Sequence, residues 1–181
     1  MCDTPREVLI WQIVEEKLPD SIGITAEEYG HAGWQYQYGM YVGDVNLRLA
    51  RRCYEIAASL GNYKSLLSLA EICLQEMDME GYYKWILEAA ITGEVPKAYL
   101  KLGELYFTGE YVRQEYSKAF RYFQQASEGN VDEVYYYLGQ YEERGILKEK
   151  DLEKAIQYYR LGAERYDERC FSRLKEFKVD F

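Results

Sequence analysis

This chain is poor in the residues that assemble catalytic, metal and nucleic-acid sites. Among its 181 residues there is one histidine, His31, and the four cysteines Cys2, Cys53, Cys73 and Cys170 are scattered with no CxxC pair. One imidazole and distant thiols do not make a zinc site of the usual kind, so neither metal nor cofactor is expected. The cysteines are read as reduced, those on helices packing as small hydrophobes. Lys and Arg number 22 against 31 Asp and Glu, a formal net charge of -9. That balance excludes nucleic acid and anionic membrane as main partners, since both require clustered positive charge. No apolar run approaches the roughly 18 residues of a membrane span. The first residues, MCDTPREVLIWQIVEEKLPD, lack a basic leader, and their short apolar stretch runs into Glu15 and Glu16. A signal peptide is not expected there, and the protein is read as cytoplasmic.

Phosphate-binding chemistry is missing too. The 14 glycines form neither GxxxxGK[ST] nor a strand-borne GxGxxG. The acidic stretches EICLQEMDME (71–80) and LKEKDLEK (147–154) do not follow calcium-loop spacing and read as solvated helix ends. An enzyme is therefore disfavoured, with no nucleophile, acid–base pair or metal constellation to carry it. A Cys–His nucleophile would require Cys53 or Cys73 to meet His31 in space, whereas both thiols fall at apolar, core-like positions.

What is abundant is tyrosine, 20 residues, in a chain that is 48% hydrophobic and long enough for a real core. The tyrosines sit in a pattern that recurs. AGWQYQYGMYV (32–42), LGELYFTGEYV (102–112) and LGQYEERGIL (138–147) share a small residue followed six later by Gly. Gly103 and Gly139 are 36 apart, as are Gly109 and Gly145, and a weaker copy starts at Leu69 with Ala70 in the glycine place. A second pattern alternates with the first, beginning at Ala50, Ala119 and Ala155. Paired large residues follow at Cys53/Tyr54, Tyr122/Phe123 and Tyr158/Tyr159, and small ones close it at Ala57/Ala58, Ala126/Ser127 and Gly162/Ala163. The copy from Tyr82 carries Trp85/Ile86 and Ala89/Ala90. Two patterns at one period mean two elements per repeat.

Spacings of three, four and seven identify those elements as helices, and no alternating strand pattern competes, so the fold class is all-α. Thr25 with Glu28 reads as a capping box, Pro96 as a first-turn proline, and Asp132, Asp151 and Asp167 as N-caps. Gly109 and Gly145 are placed where a helix ends in a left-handed residue. Gly103, Gly139, Ala119 and Ala155 let helix backbones approach while Tyr and Phe fill between them.

The pattern LGxxYxxGxxV, followed by A-x-x-(aromatic)-(aromatic)-x-x-A-A, resembles the Sel-one-like repeat, a relative of the tetratricopeptide repeat. The resemblance covers about residues 27–177, with copies at 27–62, 63–95, 96–131 and 132–167 and a closing helix at 168–179. It departs at Glu142, in place of the first-helix Tyr, at Ala70, and at Tyr82. The family implies a right-handed α-α superhelix of about four helix pairs with a capping helix at each end, residues 1–23 forming the N-terminal cap and linker. Stacking of at least three repeats is also what burial demands, because one helix pair cannot cover its own apolar face. The segment 5–18, with Val8, Leu9, Trp11, Ile13 and Val14, reads as that cap. Its other reading is a docking helix for a partner, or for a second copy in a homodimer through the end cap. Some cysteine-rich relatives use disulfides between helices, which raises a Cys53–Cys73 pairing; the other repeats lack matching cysteines.

In such solenoids the first helix of each pair lines the concave face. Transferred by position, that face receives Trp34, Gln37 and Tyr38, then Leu67, Glu71 and Leu74, then Leu100, Glu104 and Phe107, then Tyr136, Gln140 and Glu143. Aromatic anchors beside acids resemble an interface for a protein or peptide with a basic patch. The resemblance thus implies a protein–protein interaction module, an adaptor or regulator. The alternative is an immunity-type inhibitor that neutralises a cognate bacterial toxin, a role suited to a small acidic solenoid.

Overall fold

The computed structural model describes Ile10, Val14 and residues 23–40 and 44–179. The chain divides into two compact units, Met1–Glu94 and Val95–Phe181. In unit 1 the helices are α1 (Ala26–Gln37), α2 (Leu47–Ser59), α3 (Lys64–Gln75) and α4 (Met79–Ile91). Unit 2 holds α5 (Pro96–Thr108), α6 (Tyr116–Glu128), α7 (Val134–Arg144), α8 (Leu152–Glu164) and α9 (Glu168–Glu176). No strand occurs among the described residues, and no helix there is long and apolar enough to cross a membrane. The expected N-terminal cap, and the homodimer contact assigned to it, lie outside the described residues apart from Ile10 and Val14, which are helical and buried.

Local chemistry starts and stops these helices much as the sequence suggests. The Thr25 hydroxyl accepts the Glu28 N–H at 3.2 Å, while the Glu28 carboxylate accepts the Thr25 N–H at 2.8 Å. Asn46, Asp78, Asp151 and Asp167 cap α2, α4, α8 and α9 through their side chains. Pro96 opens α5. Gly109 and Gly145 end α5 and α7 at φ 75° and 64°, where a Cβ would be strained. Asp132 is a correction, because it does not cap α7. The Val134 N–H bonds the Val131 carbonyl and the Tyr135 N–H bonds the Asp132 carbonyl, so a backbone turn already uses the first donors. The Asp132 carboxylate faces Arg165 instead, at 3.4 Å.

Within each pair, small meets large. A Cβ on Gly33 would lie 2.7 Å from the Tyr54 ring, and one on Gly103 2.5 Å from Phe123; Gly139 abuts Tyr159 in the same way. The residue four further along sits over the same ring, one turn on. Where that ring is Tyr, the residue is a hydrogen-bond acceptor: the Tyr54 hydroxyl donates to Gln37 at 2.8 Å and the Tyr159 hydroxyl to Glu143 at 2.6 Å. Where it is Phe123, the residue is Phe107, edge-on with centroids 6.1 Å apart. Glu142 follows the same logic of matched replacement. The Lys118 ammonium lies 3.9 Å from the Tyr106 ring centre and donates to its hydroxyl at 2.5 Å. One repeat later Lys154, with Lys148, pairs with Glu142 at 3.0 and 2.9 Å, which lets a carboxylate occupy a buried place.

Candidate functional site

The surface expected to bind a partner resolves differently in the two units. In unit 1, α1 carries an exposed row of rings. His31 stacks on Trp34 with centroids 6.0 Å apart, and Trp34 meets Tyr38 at 5.6 Å. Trp34 is 45% exposed and Tyr38 50%, far more than rings committed to a core. Positions 27, 31, 34 and 38 repeat at helical spacing, so Glu27 heads the same stripe. Gln37 is a correction: it is 3% exposed, because it lies four residues after Gly33 and therefore faces α2, where its side-chain oxygen accepts a hydrogen bond from the Tyr54 hydroxyl.

Tyr54 also ties α1 to α3. Burial pushes its pKa up to about 12; a hydrogen bond with Ser68 of α3 opposes this, and nearby Tyr38 and Glu71 add to the rise. A Cβ on Gly30 would meet Asn62 at 2.9 Å and Ser65 at 3.4 Å, so the start of α3 approaches α1 there. On α3, Glu71 is exposed and Leu74 is 46% exposed. Unit 1 thus brings Trp34, Tyr38, Glu71 and Leu74 to an open surface.

In unit 2 the corresponding residues are occupied from within. Phe107 is a correction: it is 8% exposed, ringed by Tyr116, Phe123, Tyr137 and Tyr141 at centroid distances of 5.5, 6.1, 5.6 and 5.5 Å. The connection between α5 and α6, residues 109–115, is long enough to fold back, and Gln114 holds it by donating to the Phe107 carbonyl at 2.8 Å. Between α3 and α4 only residues 76–78 intervene, so nothing returns over Leu74. Glu104 accepts from Lys101 at 2.9 Å and from the Tyr137 hydroxyl at 3.0 Å. Gln140, also expected at the surface, is buried and donates to the Tyr136 hydroxyl at 2.6 Å.

Two residues that the sequence did not single out do much of this covering. From α9, the Arg169 guanidinium lies 4.6 Å from the centre of the Tyr136 ring and 5.4 Å from that of Tyr137. It donates to Asp167 at 2.7 and 3.0 Å. These bonds, with the Asp167 charge, raise the Arg169 pKa against the cost of burial. Burial works to raise the Asp167 pKa, but Arg169 outweighs it and holds the carboxyl below its ordinary range. Arg173 closes on Glu143 and Glu176. The signal for both was available: arginines one turn apart on the closing helix, opposite a Tyr-Tyr pair one repeat earlier.

Among the described residues nothing reactive gathers elsewhere. Cys53, Cys73 and Cys170 are free and buried, so the Cys53–Cys73 disulfide is not formed. Burial pushes the Cys53 thiol up to about 12, which leaves it unreactive. No group of three metal-ligating side chains occurs among the described residues.

A Sel1 repeat family model matches residues 28–62, 96–131 and 132–167. Residues 63–95, outside those matches, fold as the pair α3 and α4. A Sel1 repeat protein from Oxalobacter formigenes superposes with a TM-score of 0.75 at 23% identity, over 94% of this chain and 73% of that one. A protective antigen of uropathogenic Escherichia coli with an SLR fold gives 0.68 at 24% identity, over 88% of this chain and 33% of that one. At such identities the likeness establishes the fold, an all-α solenoid of helix pairs. No curated protein matches the sequence.

Proposed function

The chain belongs to the Sel1 repeat family, and on that premise we propose that it is an adaptor or regulator that docks a protein or peptide on the α1/α3 face of unit 1. Sel1 repeat proteins are in general protein–protein interaction modules, on a fold that is typically a non-catalytic scaffold. The observation that carries the proposal is the row His31, Trp34 and Tyr38, left in water on α1, with Leu74 and Glu71 exposed on α3. Large rings with a charged neighbour are the composition of binding hot spots, and a partner gains most by drying them. The net charge of -9 favours a partner with a basic patch. The same face would serve an immunity-type inhibitor of one basic target, for which the net charge again speaks; picomolar affinity for a single partner separates that use from an adaptor's.

The test is capture from an extract of the native host on the immobilised chain and, in parallel, on its Trp34→Ala/Tyr38→Ala variant. Each captured protein is purified and titrated by calorimetry. A partner that binds the parent and is lost by the variant supports the proposal. Partners that bind both alike move the docking face elsewhere.

A further inference from the structure

Unit 2 contains a worked example of what such rings hold. The Arg169 guanidinium lies 4.6 and 5.4 Å from the centres of the Tyr136 and Tyr137 rings, which meet edge to face, while its N–H donors are taken by Asp167, which is itself largely buried. The Tyr137 hydroxyl accepts a further bond from Arg169 at 3.4 Å. This arrangement uses two separate properties of a guanidinium. Its flat, weakly hydrated face lies against rings, and its fork of N–H donors reaches a carboxylate in the same plane. An ammonium, being a compact hydrated point charge, does only one of these well.

Unit 1 presents the same kinds of side chain, with no cation of a described residue against the rings. Trp34 and Tyr38 offer two exposed rings whose centroids are 5.6 Å apart. Glu71 and Leu74 are exposed on α3, whose first turn approaches α1 where Ser65 nears Gly30, and Glu27 heads the ring stripe along α1. Both carboxylates are exposed, and neither makes an ion pair with a described residue. The nearby cation of α2, Arg51, is already committed to Glu76 at 2.5 Å.

We propose that the α1/α3 face of unit 1 recognises an arginine side chain of the protein partner, its guanidinium lying on Trp34 and Tyr38 and its donors turned to Glu71. This rests on the docking face proposed above and gives that face its chemistry. Leu74, next to the carboxylate, covers the apolar stem of the same side chain.

The probe is a short blocked helical peptide with two arginines one turn apart in an alanine–leucine background, together with its lysine and citrulline counterparts. Each is titrated into the full chain by heteronuclear NMR, with the Trp34 indole N–H and the Tyr38 ring as reporters and Trp34→Phe identifying the indole signal. The arginine peptide is expected to shift both reporters and to bind about fivefold or more tightly than the lysine peptide. The citrulline peptide should lose binding, and Glu71→Gln should shrink the arginine preference while leaving the circular dichroism spectrum unchanged. Equal binding of the arginine and lysine peptides, or no response at Trp34 and Tyr38, overturns the inference. The parent docking proposal is judged separately, on the captured partner. A partner that needs Trp34 and Tyr38 but tolerates loss of its own arginines sinks this inference alone, and one indifferent to both rings sinks both.

Discussion

Leu74 in unit 1 and Phe107 in unit 2 hold the same place, four residues after the small residue of the first-helix pattern, yet one is open to water and the other is surrounded by four rings. The two units are written in one pattern but complete it differently. Unit 1 buries Tyr29, Tyr36, Tyr54 and Tyr82 together with Leu49, Leu66, Leu69, Ile72 and Ile86, and leaves Trp34 and Tyr38 of α1 exposed. Unit 2 gathers Phe107, Tyr116, Phe123, Tyr137 and Tyr141 into one cluster and sets Arg169 of α9 against Tyr136 and Tyr137. Aromatic content alone therefore says little about where a binding surface lies. What matters is whether each ring has already found its partner within the chain.

That contrast can be broken deliberately. Phe107→Ala removes a ring from the centre of the unit 2 cluster and should destabilise it by about 3–5 kcal/mol in thermal or urea unfolding. Leu74→Ala should cost far less, because Leu74 is already half in solvent. Similar losses at the two sites would mean that the units do not differ in the way described. Next comes Trp34→Ala, which should weaken binding of the captured partner by about 2 kcal/mol or more, mainly through faster dissociation, while unfolding stays as in the parent. Calorimetry and surface binding on the same preparations separate the two readouts.

A smaller effect, of opposite sign, is expected at a turn. Tyr166 adopts φ 63° and is almost wholly exposed, whereas Gly61 fills the comparable turn of unit 1 at φ 95°. Tyr166→Gly should relieve left-handed strain and stabilise unit 2 by about 1 kcal/mol, and a loss instead would show that the ring contributes contacts there. The smallest effect is a pH dependence confined to unit 2. The Asp167 carboxyl titrates below its ordinary value in the folded chain, so its contribution is fully present above the unfolded value of 3.8. That contribution is lost as pH falls through the lower, folded value. Asp167→Asn keeps the helix cap and should flatten the acid limb of the unfolding midpoint of unit 2; an unchanged limb would exclude Asp167 as its origin.

Much of the fold was legible in the residues themselves. Gly103 and Gly139 were readable as close-approach points because a large residue, Phe123 or Tyr159, recurs at the same offset on the next helix. The capping box at Thr25 and the left-handed glycines at 109 and 145 depend on neighbours a few residues away, and they were found where expected. Asp132 was misread because a cap competes with the backbone turn that precedes it, and only the local conformation decides which supplies the acceptor.

The site was legible only in part. Trp34, Tyr38, Glu71 and Leu74 were placed on a surface by position and are exposed there. Gln37, Phe107 and Gln140 shared that reading and are buried, since a position on a helix tells which way a side chain points and not what lies opposite. Period and capping are local properties, fixed by backbone geometry over a few residues, so the sequence alone determined that the chain forms paired helices with small residues at their contacts. Exposure depends on groups brought from far along the chain. The gathering of Tyr116, Phe123, Tyr137 and Tyr141 around Phe107, the reach of Arg169 across to Tyr136, and the exposure of Leu74 were decided by tertiary structure, where packing and charge pairing between distant segments select which rings are already partnered.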